Sequence, residues 1–423
     1  MEYQRRIADE ELDALMGDLP ALALEGARGV GKTATASRRA DTIFELDDPG
    51  QREVLVADPS MIDAADGTVL IDEWQRHPPL WDFVRRRVDA GAPAGRFLLT
   101  GSAEPTSGPA HSGAGRIVQL RMRPLSLAER GLAEPVVGLG AMLSGERPVI
   151  VGNSDIVVRD YVEEILASGF PGIRPLGDRA RRAQIASYLA RLVERDFPEQ
   201  GLRVRRPATL QAWLSAYAAA TATTTSYNSL LDAATAGETT KPAKTTTTAY
   251  RDVLAQLWML DPVPGWTPNR NHLRRLTQAP KHHLADPALA AHLIGVDAGA
   301  LLRGRSAGPD IPRNGSLLGA LFESLVTLSV QVYAQANEAT VHHLRTRDGD
   351  HEVDLIVQRP DQRVVALEVK LDGVPDQADV RHLLWLRGQI GEDLLDAAVI
   401  TAGVHAYRRS DGIAVIPAVL LGA

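Results

Sequence analysis

Gly26-Ala27-Arg28-Gly29-Val30-Gly31-Lys32-Thr33 is the stretch that decides the fold of the first third of the chain. It spells G-x-x-x-x-G-K-T. Ala21-Leu22-Ala23-Leu24-Glu25, short and apolar, precedes it, and a helical pattern follows. Strand, glycine turn, helix is the context the motif needs. The glycines let the backbone wrap closely, so that its N–H groups face phosphate oxygens. Lys32 supplies a point charge to the β- and γ-phosphates, and the Thr33 hydroxyl is placed for Mg²⁺.

Two further strand ends belong with this loop. Thr68-Val69-Leu70-Ile71-Asp72-Glu73 is an apolar run closed by two carboxylates. Asp72 is expected to hold Mg²⁺ and Glu73 to activate a water. Arg96-Phe97-Leu98-Leu99-Thr100-Gly101-Ser102 puts small hydroxyls at a third strand end, where Thr100 or Ser102 would sense the γ-phosphate or orient water. Continuous apolar runs of this kind suit parallel strands buried on both faces. With helical spacing between them, as over Leu80–Val88, they predict a doubly wound α/β domain over 1–135. Ala103–Gly115, rich in Gly, Pro and Ser, reads as a mobile loop. Arg116 after it is a candidate arginine finger, and acting in trans it would require a homo-oligomer.

The middle, 155–310, reads as helical. Apolar residues three and four apart recur over Tyr161–Ala167 and Arg181–Arg195, and Leu210–Ala220 is a third helix. Ser226 is a plausible N-cap for a fourth, and Thr245–Leu260 is a fifth. The turn Asp261-Pro262-Val263-Pro264-Gly265-Trp266 into a strand then makes the segment resemble a winged helix-turn-helix.

The last piece, 313–423, has a different α/β order. An amphipathic helix over Leu317–Tyr333 leads into strands at Val341–Arg345, Glu352–Gln358 and Val364–Val369. A helix over Asp376–Gly388, a strand at Ala397–Thr401 and a closing run at Gly412–Val419 follow. Asp354 and Glu368 fall on neighbouring strands, and Lys370, two residues beyond Glu368, shares its face. This resembles the PD-(D/E)xK nuclease core. In that reading Asp354 and Glu368 hold Mg²⁺, Glu323 on the preceding helix adds a carboxylate, and Lys370 steers water to a phosphodiester. Polar residues alternating on a half-exposed strand give the same spelling. An inactive, docking role for this end is the competing reading.

Composition sets the frame. The 423 residues are 44 % hydrophobic and 23 % charged, the balance of an ordinary globular protein of about three domains. No cysteine is present, which excludes disulfides and thiolate sites. The N-terminus has no secretory pattern and no apolar run reads as a membrane span, so a cytoplasmic protein without a membrane partner is expected. The net charge of −7 hides an asymmetry. Arg179–Arg206 holds eight arginines against three acids, and Arg270–His283 four bases, three histidines and no acid. A basic middle in an acidic chain points to a polyanion, with DNA the favoured partner. The pairs His282-His283 and His342-His343 read as solvated or as phosphate contacts, because adjacent strand residues face opposite ways. Trp213, Trp258, Trp266 and Trp385 read as core.

Taken together, Gly26–Thr33, Leu70–Gln75, Leu98–Ser102, Gly115-Arg116 through Arg123–Glu129, Gly169-Phe170-Pro171, Lys281–Asp286, and Glu352–Asp354 with Glu368–Lys370 resemble prokaryotic AAA-type P-loop ATPases with a C-terminal domain of unknown function. The resemblance spans nearly the whole chain. It implies ATP as the nucleotide, a helical winged-helix-like middle and a nuclease-like end.

Overall fold

The computed structural model describes residues 3–103, 113–202, 204, 206–235, 244–268, 278–303, 315–346 and 349–423. Most of the loop expected over Ala103–Gly115, and the stretch 269–277 with three of the four bases counted in Arg270–His283, lie outside them.

Five strands make the first sheet: β1 (Ala21–Glu25), β2 (Thr42–Glu45), β3 (Val69–Asp72), β4 (Phe97–Gly101) and β5 (Val118–Arg121). All pairs are parallel and the order is β2-β3-β4-β1-β5. β1, β3 and β4 are buried at every position, as continuous apolar runs require. Their side chains sort by period two. Leu22, Leu24, Leu70 and Leu98 enter one core, with Leu12 of the Ala8–Asp18 helix. Ala21, Ala23, Val69, Ile71, Phe97 and Leu99 enter the opposite one, under the Pro49–Ala57 and Pro79–Asp89 helices. Helices cover both faces, so the doubly wound expectation holds. The C-terminal ends of β1, β3 and β4 lie side by side and carry the loop, Asp72 and Thr100.

A linker with two short strands, β6 (Val137–Gly138) and β7 (Gly152–Asn153), leads to the helical middle. Its helices run Val158–Ala167, Asp178–Arg191, Pro207–Ala219, Tyr227–Ala234, Lys244–Gln256, Pro287–Ile294 and Ala298–Arg303. Ser226 does cap its helix, accepting the Ser229 N–H at 3.1 Å. The wing-like turn goes elsewhere than a local wing. Leu260 and Val263 bridge antiparallel to Leu284 and Lys281, and β8 (Gly265–Trp266) joins the sheet of the last domain.

That sheet adds β9 (Thr340–Arg345), β10 (Glu352–Gln358), β11 (Val364–Lys370), β12 (Leu394–Thr401), β13 (His405–Arg408) and β14 (Ala414–Pro417). Its order is β7-β13-β14-β12-β11-β10-β9-β8, mixed in direction. β15 (Leu421–Gly422) pairs with β6. Helix Gly315–Ala336 lies at the centre of the molecule. Its segment Leu317–Ala336 has the length and hydropathy of a membrane span, which the sequence reading excluded, yet 72 % of it is buried inside the protein. There it serves as a core helix. Ser329 Oγ accepts the Leu127 N–H at 3.0 Å and Tyr333 Oη the Ala128 N–H at 2.9 Å, tying the last domain to the first.

Candidate nucleotide site and the carboxylate cluster

The loop closes because Gly26 sits at φ +149°, where a Cβ would lie 2.1 Å from the Met122 carbonyl oxygen. Lys32 opens the Lys32–Ala36 helix and is 4 % exposed. Its amine donates to the Gly26 and Ala27 carbonyls at 2.9 and 3.1 Å. Burial pushes it down to about 8, against the pull of Glu73 and Asp72. Thr33 Oγ1 donates to Asp72 Oδ1 at 2.8 Å, and Thr100 Oγ1 donates to the same oxygen. Burial raises the Asp72 carboxyl, partly offset by those two hydroxyls. The motif threonine and the strand-end carboxylate, 39 residues apart, thus form one oxygen-donor set.

Glu73 takes φ +55°, a left-handed backbone uncommon outside glycine. Its N–H donates to Thr100 Oγ1 at 3.1 Å, and its Oε2 accepts from Ser102 Oγ at 2.9 Å and from Gln75 Nε2 at 2.5 Å. Thr100 and Ser102 therefore orient the two carboxylates. Arg28 leaves the loop sideways to pair with Asp196 at 2.9 Å, in a π-helical turn over Leu192–Asp196. Arg116 is not brought to the loop within this chain. It pairs with Asp89 at 2.8 Å at the end of the Pro79–Asp89 helix.

Sequence reasoning missed Arg6. It is buried, donates from Nη1 to the Val30 carbonyl at 2.8 Å, and pairs with Glu129 at 2.9 Å. Together with Tyr3, Gly31, Thr35 and Arg38 it lines a cavity of about 800 Å³ beside the loop. No motif announces Arg6; only a long-range fold brings residue 6 to residue 129.

In the last domain, one step beyond the Leu355–Leu367 pair, Asp354 lies across from Glu368. Lys370 Nζ donates to Glu368 Oε1 at 2.8 Å. Glu323 joins them through a residue that sequence reasoning placed in a basic, phosphate-facing stretch. Lys281 Nζ is 2.7 Å from Glu323 Oε1, 2.9 Å from Asp354 Oδ1 and 3.6 Å from Glu352 Oε1. Burial opposes its charge, but Asp354 and Glu323 outweigh burial and hold the ammonium above its ordinary range. Burial raises Asp354 too, yet Lys281 and Lys370 bring it below the usual carboxylate value. Burial and then the Asp354 charge push Glu368 and Glu323 upward.

The histidines correct another expectation. His282, His283 and His343 are buried rather than solvated. His282 packs inside the middle domain against Tyr217 and Tyr227, while His283 and His343 line the seam where the hairpin of that domain meets β9. His343 donates its backbone N–H to the Pro264 carbonyl at 2.9 Å, and its ring pairs with the Ala279 carbonyl at 3.0 Å. The tryptophans divide. Trp213 and Trp266 are core, while Trp258 carries the Arg121 guanidinium over its ring and Trp385 stacks on His351.

Comparison with known proteins follows the same three pieces. Residues 18–130 match the family model of an AAA domain. The first part of the chain is thus similar to AAA domains, in keeping with its phosphate loop. Residues 158–300 and 318–421 match two domains of unknown function, DUF8612 and DUF4143. Uncharacterized proteins of Mycobacterium bovis and Mycobacterium tuberculosis are each 25 % identical over 433 residues, covering 99 % of this chain and 84 % of theirs. Two solved structures are similar: the Walker-type ATPase of Pyrococcus abyssi, with a TM-score of 0.41, 15 % identity, and 69 % of this chain and 96 % of that one covered; and the ORC2 protein of Aeropyrum pernix, with 0.31, 16 %, 72 % and 96 %.

Proposed function

We propose that the chain is a magnesium-dependent ATP hydrolase. The observation that carries the reading is the Thr33–Asp72–Thr100 contact at the ends of three adjacent strands, with Glu73 oriented beside it. Thr33 and Asp72 offer the hard oxygen ligands that Mg²⁺ prefers. When bound there, the ion neutralises charge on the β- and γ-phosphates. The loop N–H groups cradle the phosphates, and Lys32 turns its amine from the loop carbonyls to the phosphate oxygens. Ser102 and Gln75 hold one oxygen of Glu73, so that the carboxylate orients a water in line and takes its proton. The cavity bounded by Tyr3, Arg6 and Arg38 lies beside Gly31 and has room for the nucleoside.

What hydrolysis drives is read from the other two domains. Exposed Arg179 and Arg182, one turn apart on Asp178–Arg191, support DNA as partner. Arg203 and Arg205 lie outside the described residues. A finger role for Arg116 requires a second copy of the chain. The competing reading, a regulatory or docking module whose nuclease-like end cuts nothing, is favoured by one observation: an ammonium stands among the carboxylates that would hold the nuclease metal.

Mg²⁺-dependent ATP hydrolysis with and without DNA, wild type beside Lys32→Ala and Glu368→Ala, tests both. Hydrolysis should fall at least 100-fold in Lys32→Ala and persist in Glu368→Ala. Unchanged hydrolysis in Lys32→Ala would refute the ATPase reading. Stimulation by DNA supports the DNA partner. Rates indifferent to DNA, with DNA intact on a gel, would turn the reading to the docking module.

A further inference from the structure

The carboxylate cluster of the last domain carries its own cation. Glu323 comes from the central helix, Glu352 and Asp354 from β10, and the amine that faces all three from the middle domain. Lys281 is 1 % exposed. Its backbone is held on both sides: Lys281 and Val263 exchange N–H···O bonds of 2.9 Å, and the neighbouring Ala279 carbonyl is engaged by His343. An ammonium has three donors, and two of them meet Glu323 and Asp354 at ordinary charge-assisted distances. The second oxygen of Asp354 accepts the Val369 N–H at 2.9 Å, so both oxygens of this carboxylate have a donor.

An amine at 2.7 and 2.9 Å from two carboxylates fills the volume between them. Mg²⁺ there would need oxygens at about 2.0–2.1 Å. Among the described residues no group of three or more His, Asp or Glu is arranged to hold a metal ion. Yet the cluster keeps one oxygen in reserve. Glu368, across from Asp354 and 5 % exposed, gives Oε1 to Lys370, while its buried Oε2 has no hydrogen-bond partner among the described residues. A buried carboxylate oxygen without a donor is costly and is normally met by a cation or a hydrogen bond.

We propose that this is a latent divalent-cation site closed by the Lys281 ammonium. As the chain stands, Lys281 is the resident cation and binds the middle domain to the last one. Removing the amine takes away the charge that faces Glu323 and Asp354 at 2.7 and 2.9 Å, beside the Glu368–Lys370 pair, and Mn²⁺ or Mg²⁺ takes its place. The proposal is independent of ATP hydrolysis.

Mn²⁺ binding, followed by the loss of the free-ion electron paramagnetic resonance signal, tests it in full-length chains carrying Thr33→Ala and Asp72→Asn to remove the loop's own cation ligands. With Lys281 present, no Mn²⁺ binding that depends on Asp354 is expected. Lys281→Met should bind one Mn²⁺ at least 100-fold more tightly, and adding Asp354→Asn should abolish the gain. Binding in the Lys281 chain that Asp354→Asn removes would overturn the proposal. So would a folded Lys281→Met, or its polar counterpart Lys281→Gln, that binds no more tightly than its parent. If neither variant folds alone, MnCl₂ should restore a cooperative melt, and failure to do so equally overturns the idea.

Discussion

Arg6→Met separates a structural anchor of the phosphate loop from a passive surface charge. Arg6 and Glu129 have side chains 4 % and 2 % exposed and meet at 2.9 Å. Arg6 also donates to the Val30 carbonyl at 2.8 Å, inside the loop, and to the Arg123 carbonyl at 2.7 Å. Breaking a buried pair by removing one partner costs about 3–5 kcal/mol, because the other charge stays buried. Glu129 would keep the Ile7 and Ser126 N–H groups and the Ser126 hydroxyl, at 2.8, 2.8 and 2.9 Å. Those three donors place the loss near the lower bound, about 3 kcal/mol. Urea unfolding reports it, with Trp74 and Trp81 in the core beneath β3 and β4 as fluorophores. Because Val30 loses its tether, a fluorescent ATP analogue should also bind about 5–10-fold more weakly, a penalty of about 1 kcal/mol. A stability loss under about 1 kcal/mol, the size of an exposed pair, would refute the reasoning.

Two further outcomes follow from buried groups. Asp286, 0 % exposed, caps Pro287–Ile294 through the Ala288 N–H at 2.8 Å and holds the Gly169 N–H at 2.6 Å. Asp286→Ala loses a cap worth about 1 kcal/mol and strands a buried donor for about 1–3 more, so a loss of about 2–4 kcal/mol is expected by denaturant unfolding. Asp286→Asn, which keeps an acceptor, should lose less, and equal losses would argue against the capping account. Burial, with Lys281 nearby, pushes His283 down to about 3. The folded state thus keeps this ring neutral while an unfolded histidine protonates near pH 6.5. Its stability is fully present above that pH and is lost as pH falls toward 3, by about 1.4 kcal/mol per unit. The urea midpoint should therefore drop between pH 7.5 and 5.5, and His283→Phe should flatten that drop; parallel profiles would refute the assignment.

The parts of the molecule that could be read in the sequence share a cause. The loop at Gly26–Thr33 is a backbone geometry written in adjacent residues. The strands at Val69–Asp72 and Glu352–Gln358 are written in local periodicity, and so is the helix, meander, helix, strand order of the last domain. Periodicity says which face a residue takes, never what comes to cover it. Hence Lys281 and His283, in a run that reads as basic and polar, turn out to be enclosed between two domains. The same limit hid Arg6, whose partners are 24, 117 and 123 residues away. It misdirected the strand at Gly265-Trp266, which has only two residues to pair and finds its neighbour in β9. Arg116, a finger candidate by its position in the chain, pairs with Asp89 within one chain, and a role in trans rests on a second copy.

The joints between domains are unequal, and this constrains how a nucleotide signal can travel. The last sheet takes β7 from the linker and β8 from the middle domain, while β15 returns to pair with β6. Separating these pieces as rigid bodies would break backbone ladders and expose a core that runs through all three domains, from Leu22 through Trp213 to Ile400. The loop meets the middle domain through weaker contacts. The Arg28 guanidinium, 43 % exposed, pairs with Asp196, and Tyr188 Oη donates to the Arg28 carbonyl at 3.2 Å. A half-exposed pair contributes about 0–1 kcal/mol, so it can be exchanged for phosphate contacts at little cost. The Leu192–Asp196 turn on its far side is π-helical, an irregularity of the helix often found at functional sites. A change at the phosphates is therefore expected to reach the middle domain as a local shift at Asp196, with the strand-joined remainder of the molecule holding its arrangement.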